Sequence, residues 1–259
     1  MRLTWRLTNL KMYVHNHSSP LIFTYHNISS NFHVGLNSVQ HERFRKHVEF
    51  IANLNNSTVE NNHIKIAFDD GYESVYTNAF PIMEEYGLKG IVFPITGYIG
   101  KRNNWDVTFG INKAMHLNID QILSLSGNGW EIGSHSHLHR SFKWMSNDEI
   151  KNDVVTSKRI IENITGKEVN SFCLPFGDYT RKAIEIIEEA GFIHLFMQLP
   201  LLKNAVKFSK IQFHYCRSIY STDSVKTLQN KYQNINREHL KENFIHSFST
   251  ATVLVKEMF

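Results

Sequence analysis

The stretch IKIAFDDG, residues 64–71, joins a short apolar run to two adjacent carboxylates and a glycine. The run from Ile64 to Phe68 has the length and apolar character of a buried β-strand. Asp69 and Asp70 follow it directly. In parallel α/β proteins, ligands bind just beyond the carboxyl ends of the strands. This stretch therefore predicts both a strand of a parallel sheet and the position of a site.

A second stretch, WEIGSHSHLH (residues 130–139), repeats this arrangement with imidazoles in place of carboxylates. The apolar run Trp130 to Gly133 predicts another strand, and His135, His137 and His139 follow it. If both strands belong to one parallel sheet, the acids and the imidazoles meet at the same edge.

The rest of the chain alternates short apolar runs with segments of helical period, which is typical of β/α units wound around a parallel sheet. About seven strands are expected, which is close to a barrel. The predicted strands are Leu21 to His26, Ile64 to Phe68, Gly90 to Pro94, Trp130 to Gly133, Phe172 to Leu174, His194 to Met197 and Arg217 to Tyr220. The predicted helices are Val39 to Leu54, Ser74 to Tyr86, Ile119 to Leu125, Asn147 to Asn163 and Thr180 to Ala190.

A chain of 259 residues with 42% hydrophobic residues fits one barrel-sized domain. No repeat or Pro/Gly-rich linker marks a boundary inside it. We expect an N-terminal extension over residues 1–20, a catalytic domain over 21–228 and a helical tail over 229–259.

The charge pattern and the cysteine count exclude several classes of protein. The net charge of +4 comes from scattered basic residues, so no nucleic-acid partner is expected. Two cysteines are too few for a disulfide scaffold. No signal peptide is readable and no apolar run reaches the roughly 20 residues of a membrane span. These features predict a cytoplasmic protein without a transmembrane segment, and they leave export or association with a membrane surface open.

Two adjacent carboxylates such as Asp69 and Asp70 repel each other when both are ionised, so such a pair usually has separate tasks. One carboxylate is neutralised by a cation and the other is free for proton transfer. An N-terminal cap of the following helix is the structural alternative. The nearby histidine cluster favours the chemical interpretation.

The histidine triplet allows two geometries for binding one metal ion. In an extended chain, neighbours at i and i+2 would form the metal pair, because i and i+4 lie about 13 Å apart. In a helical turn, His135 and His139 lie on one face with Cβ atoms about 5 to 6 Å apart, and His137 is left aside. The preceding Gly133-Ser134 favours the turn.

Three motifs together resemble those of the polysaccharide deacetylases, carbohydrate esterase family 4. The stretch AFDDG (residues 67–71) resembles their first motif, and HSHLH (135–139) resembles the second, His-Ser/Thr-x-x-His. LPFGDY (174–179) is similar to the third, Pro-Tyr-Gly segment. The resemblance extends from about Leu21 to Tyr220. It implies a distorted, partial (β/α) barrel that holds one divalent ion.

The resemblance also implies a role for each matching residue. Asp70, His135 and His139 would hold the ion, with zinc as the first candidate and cobalt, nickel or iron as alternatives. Asp69 would be the general base, and the backbone N–H of Phe176 would contribute to the oxyanion site. A site with two histidines and one carboxylate leaves positions open for water and for the acetamide oxygen.

The chain departs from the family pattern at the residue that orients the base. Many relatives carry an arginine where this chain has Cys173, and Arg217 is our candidate substitute. Tyr72 and Tyr179, beside the motifs, are candidates for stacking on the sugar.

A late Leu-x-His motif, which supplies the general acid in many relatives, is also absent. The segment FTYH (residues 23–26) resembles the Tyr-His segment of the subgroup that deacetylates poly-N-acetylglucosamine. His26 is therefore the expected acid, with His214 as the alternative.

The sequence thus predicts a metal-dependent hydrolase that removes acetyl groups from N-acetylated sugars of a polysaccharide or glycan precursor. Two alternatives remain. The same site could cleave another non-peptide C–N bond, as in an imide or ureide, or the chain could be a non-catalytic glycan-binding protein. The sequence does not indicate an oligomeric state.

Overall fold

A computed structural model describes residues 21–29, 37–57, 63–103, 114–177, 179–198 and 210–233. Seven parallel strands form one sheet, in the order β6 (Glu131–Ile132), β5 (Gly90–Val92), β4 (Lys65–Phe68), β1 (Ile22–Tyr25), β9 (Gln212–Ser218), β8 (His194–Met197) and β7 (Ser171–Cys173). The two edge strands of this sheet approach each other, because Ser134 after β6 forms a parallel bridge with Phe172 in β7. The result is a nearly closed, distorted (β/α) barrel, which confirms the predicted fold class.

The strands of the barrel are short, and helices follow most of them. A separate parallel pair consists of β2 (Asn27–Ser29) and β3 (Ser38–Gln40). The helices are α1 (His41–Asn56), α2 (Phe80–Glu85), α3 (Ile119–Gly127), α4 (Asn147–Thr165), α5 (Arg181–Glu189) and α6 (Val225–Gln233).

Side chains alternate between the two faces of each strand, and this alternation divides the core in two. In β4, Ile66 and Phe68 join the large apolar cluster that contains the helices, whereas Ala67 belongs to a smaller cluster. The smaller cluster contains strand residues and Phe93, which directly follows β5. We call it the inner cluster, because it fills the barrel: Ile22, Ala67, Ile91, Phe93, Cys173, Phe196 and Cys216.

The seam between β6 and β7 needs a residue without a side chain. A Cβ atom on Gly133 would lie 2.9 Å from the Ser171 carbonyl oxygen and 2.4 Å from the Phe93 ring. With glycine there, the Ser134 N–H donates to Ser171 and the Cys173 N–H donates to Ser134. The seam therefore brings the second and third motifs side by side.

The structure corrects several predicted element boundaries. β9 begins at Gln212, five residues before the predicted Arg217, because its polar residues conceal the strand in the sequence. The predicted helix from Ser74 begins instead with a π-helical turn, Val75–Ala79, before α2. Neither the β2/β3 pair nor the start of α6 was predicted.

Buried polar contacts attach α6 to the barrel. The Arg217 guanidinium donates to the Lys231 carbonyl at 2.7 Å, and the Lys231 ammonium pairs with Asp223 at 2.9 Å. The boundary expected at residue 228 falls within this helix. Residues 1–20 and 234–259 lie outside the described residues. Within the described part, no helix is both long enough and apolar enough to cross a membrane.

Candidate metal centre

The two aspartates lie where β4 ends and the chain turns. The Asp69 N–H donates to the Tyr25 carbonyl and so extends the pairing of β4 with β1 by one residue. Asp70 and Gly71 then adopt left-handed conformations, with φ of 66° and 65°. A Cβ on Gly71 would lie 2.6 Å from Pro94 Cα, so only glycine fits this turn. The turn directs the Asp70 carboxylate to the barrel mouth.

The second motif forms a tight turn that is neither an extended chain nor the helical turn expected from the sequence. Ser136 and His139 both have positive φ, 67° and 53°, and the Ser136 hydroxyl accepts a hydrogen bond from the His139 N–H. The Asp153 carboxylate, from α4, accepts the N–H groups of His137 and Leu138 at 2.8 and 2.9 Å. This buried carboxylate fixes the backbone of the turn.

The turn brings His135 and His139 together and directs His137 elsewhere. Their Nε2 atoms lie 3.2 Å apart, and each lies 3.5 Å from Asp70 Oδ1. All three side chains are buried. His137 instead contacts Thr96 Oγ1 through Nδ1 at 2.9 Å.

The electrostatics of this cluster follow from burial and close packing. Burial raises the pKa of the Asp70 carboxyl, but the hydrogen bond from His135 and the charges of His139 and His26 outweigh it. The net result is a pKa well below the usual value. Burial lowers the pKa of His135, but Asp70 and Asp69 outweigh that effect and raise it. The cluster thus favours a positive charge beside a carboxylate, which either protons or a cation can supply.

The residues fit a divalent ion. Two imidazoles and one carboxylate from three points of the chain offer donor atoms within 4.8 Å of one another. His135 Nδ1 lies 3.0 Å from the Cys173 carbonyl, to which it donates, so Nε2 keeps a lone pair for a metal. A carbonyl that fixes the imidazole tautomer in this way is typical of metal-binding histidines. A second group, Asp69, His135 and Cys173, also has its possible donor atoms within 4.8 Å of one another.

Asp69 lies beside this centre and has a different partner. The Cys173 thiol donates to Asp69 Oδ1 at 3.4 Å, and both side chains are buried. Burial and the neighbouring Asp69 raise the pKa of the Cys173 thiol well above its usual value, so it stays protonated. No lysine or arginine forms an ion pair with Asp69 within the described ranges.

His26 follows β1 directly, next to the strand that carries the aspartates. Its Nδ1 atom is buried and has no hydrogen-bond partner among the described residues, and its charge acts on Asp70. The alternative acid, His214, hydrogen-bonds at 3.1 Å to His194, the first residue of β8. That contact lies toward the amino ends of the strands, away from the aspartates.

Of the three predicted substrate contacts Phe176, Tyr72 and Tyr179, the first lies at the metal centre. The Phe176 ring centroid lies 4.5 Å from that of His139, and the Phe176 backbone is left-handed, with a φ of 56°. Tyr72 is buried: its ring stacks on His116, and its hydroxyl accepts a hydrogen bond from Asn103. Tyr179 packs against the large apolar cluster that contains the helices. Tyr72 is therefore not an open platform for a sugar, whereas a stacking role for the half-buried Tyr179 stays a prediction.

Arg217 does not reach the base. It alternates along β9 with Cys216, which faces the barrel interior, so its guanidinium lies on the helical side and bonds to α6. The predicted substitution of Arg217 for the missing arginine is therefore not supported by this geometry.

Two supporting residues were missed by the sequence reasoning. The sequence analysis gives Cys173 only as the residue that replaces the arginine of many relatives. Its position beside the third motif was the signal that it could contact Asp69. Asp153 occupies the buried stripe of α4 together with Ile150, Val154, Ser157 and Ile161. A charged residue on a core-facing stripe indicates a buried polar partner.

Strain is concentrated at this centre. Within the described part of the chain, the non-glycine residues with positive φ are Asp70, Ser136, His139 and Phe176. Such conformations are sparsely populated and persist where the surrounding structure holds them in place. All four belong to the three motifs.

Comparison with known proteins agrees with the fold and with the motifs. The model of the polysaccharide deacetylase family matches residues 56–194, more than half of the chain. The chain therefore belongs to the polysaccharide deacetylase family.

Two curated relatives are poly-beta-1,6-N-acetyl-D-glucosamine N-deacetylases. The protein of Staphylococcus epidermidis is 23% identical over 73% of this chain and 65% of its own length. That of Staphylococcus aureus (strain MSSA476) is 26% identical over 63% of this chain and 56% of its own length. The chain thus spans less than two thirds of either relative.

The fold is also shared with a solved structure. IcaB from Ammonifex degensii superposes with a TM-score of 0.67 and covers 83% of this chain and 97% of its own. The sequence identity is 17%, so this likeness concerns the fold.

We expect the purified protein to bind about one zinc ion per chain. Substituting His135→Ala or His139→Ala removes a donor and should weaken binding by more than about 100-fold, the upper range for outer-shell changes. His137→Ala is the matched control, because its ring contacts Thr96 and not Asp70. Isothermal titration with zinc measures all three. Loss of affinity in His137→Ala equal to that in His135→Ala would contradict the turn geometry.

Proposed function

We propose that this protein is a metal-dependent N-deacetylase that removes acetyl groups from N-acetylglucosamine units of a polysaccharide or glycan precursor. One observation carries the proposal. In a chain of the polysaccharide deacetylase family, a buried Asp70-His135-His139 cluster lies at the barrel mouth, with a separate carboxylate, Asp69, beside it. The names of the staphylococcal relatives support the choice of sugar.

Asp70, His135 and His139 would hold the divalent ion. When bound, such an ion acidifies water and polarises an amide carbonyl. Zinc suits a donor set of two imidazoles and one carboxylate, and cobalt, nickel or iron also suit it. The buried site excludes bulk water, which strengthens every electrostatic interaction inside it.

Asp69 would accept the proton of the attacking water. Its carboxylate is held on one side by the Cys173 thiol at Oδ1, which leaves Oδ2 for this task. Asp70 would bind the ion and Asp69 would accept the proton. Such a division of roles is expected for two adjacent carboxylates, because they repel each other when both are ionised.

His26 would deliver a proton to the leaving nitrogen, since an expelled amide anion is too basic to leave unprotonated. It follows β1, which pairs with β4, so it approaches the centre from the side next to Asp69. The Phe176 N–H would help hold the oxyanion, because the left-handed turn at Phe176 lies against His139.

We expect the protein to release acetate from β-1,6-linked N-acetylglucosamine oligomers. Acetate release should stop when a chelator removes the ion and should recover when zinc is restored. Asp69→Asn should keep the fold and the zinc stoichiometry but lower kcat by about 100-fold to 10,000-fold, the scale of a lost general base. An enzymatic acetate assay and metal analysis measure both.

Three outcomes would count against this proposal. Hydrolysis of cyclic imides or ureides without acetate release would favour the alternative C–N hydrolase. Glycan binding without any turnover would favour a non-catalytic role. Loss of zinc in Asp69→Asn would mean that the roles of the two carboxylates are exchanged.

The role of His26 is tested by His26→Ala. Zinc content and oligosaccharide binding should be unchanged, whereas kcat should fall about 100-fold or more. The decline of kcat at high pH, where the acid loses its proton, should disappear. His214→Ala is the matched control, because His214 is bonded to His194. If His214→Ala is impaired and His26→Ala is not, the acid has been misassigned.

A further inference from the structure

We infer that the Cys173 thiol is the positioning residue of the general base: it donates a hydrogen bond to Asp69 and fixes the plane of its carboxylate. This inference rests on the proposed function, in which Asp69 takes a proton from water. It assigns to a neutral thiol the orienting task for which the family resemblance implies an arginine.

The geometry at Cys173 supports this assignment. Cys173 ends β7 beside the seam, and its side chain belongs to the inner cluster with Phe93, Phe196 and Cys216. From there Sγ lies 3.4 Å from Asp69 Oδ1, and both side chains are buried. A buried carboxylate needs donors on its oxygens, and this thiol is the side-chain donor that Asp69 has within the described structure.

One residue thereby orients two parts of the centre. The carbonyl of Cys173 accepts the hydrogen bond from His135 Nδ1, and its thiol contacts the base. The pairing of Cys173 N–H with Ser134 across the seam fixes its backbone. The base and a metal ligand are therefore held in register by the same short strand.

Charge balance explains why a neutral donor can suffice. When ionised, Asp69 and Asp70 carry two negative charges, which one divalent ion offsets. An arginine at position 173 would add a positive charge and a long side chain inside the barrel, where Phe93 and Phe196 already pack at 4.9 Å between ring centroids. The thiol supplies direction without that charge or volume.

The hydrogen bond itself can be tested without measuring activity. A donated S–H···O bond lowers the S–H stretching frequency in the infrared spectrum. We expect the native, zinc-loaded protein to show a lowered thiol band from Cys173 that is lost in Cys173→Ala, still present in Cys216→Ala and shifted in Asp69→Asn. A Cys173 band at the frequency of a free thiol would overturn the inference.

The kinetic test is a double-mutant cycle on deacetylation. Cys173→Ala should lower kcat about 10-fold, with KM and zinc content unchanged, and Cys173→Ser should restore most of it because the hydroxyl is a donor. In the Asp69→Asn background, Cys173→Ala should have no further effect, because there is no base left to position. Cys216→Ala is the matched control for loss of a buried sulfur.

The outcomes separate this inference from the proposed function. Additive losses in the cycle, or equal losses in Cys173→Ala and Cys173→Ser, would show that Cys173 only fills space. If Cys173→Ala does not fold, the Cys173→Ser variant and the infrared bands of the native protein still distinguish a positioning role from a space-filling one. A lowered thiol band in a protein that releases no acetate would refute the proposed function and the positioning role, and would leave only the hydrogen bond.

Discussion

The structure depends on the crowding of one carboxylate and two imidazoles that are almost entirely buried at the barrel mouth. Asp70 Oδ1 lies 3.5 Å from Nε2 of both His135 and His139, and these nitrogens lie 3.2 Å apart. Because His135 uses its Nδ1 proton on the Cys173 carbonyl, a neutral His135 directs a lone pair at the carboxylate. Such an arrangement is stable only with protons or a cation between the groups. Metal binding would therefore release protons as it replaces them.

The strand order and the loops of the barrel bring Asp70, His135 and His139 together. The parallel order of β4, β5, β6 and β7 places the ends of the motif-bearing strands around one mouth, and the glycine at 133 lets the seam close. Asp153 then fixes the turn that joins the two histidines. The left-handed residues Asp70, His139 and Phe176 mark where this convergence strains the backbone.

The sequence predicted the parts of this arrangement that depend on short-range pattern. The strand before Asp69, the strand before His135 and the helix that begins at Asn147 follow from apolar periodicity. β9 was placed too late because His214 and Arg217 interrupt its apolar pattern, although alternation sends them to opposite faces. The partner of Asp69 could not be predicted either, because Cys173 lies 104 residues away and only the closed barrel brings it close.

One divalent ion is expected to bind between Asp70, His135 and His139. Crystals of the zinc-loaded protein, measured at the zinc absorption edge, test it directly through the anomalous difference map. We expect one peak at about 2.0–2.2 Å from Asp70 Oδ1 and from the Nε2 atoms of His135 and His139. A peak between Asp69, His135 and Cys173, or no peak at the barrel mouth, would contradict it.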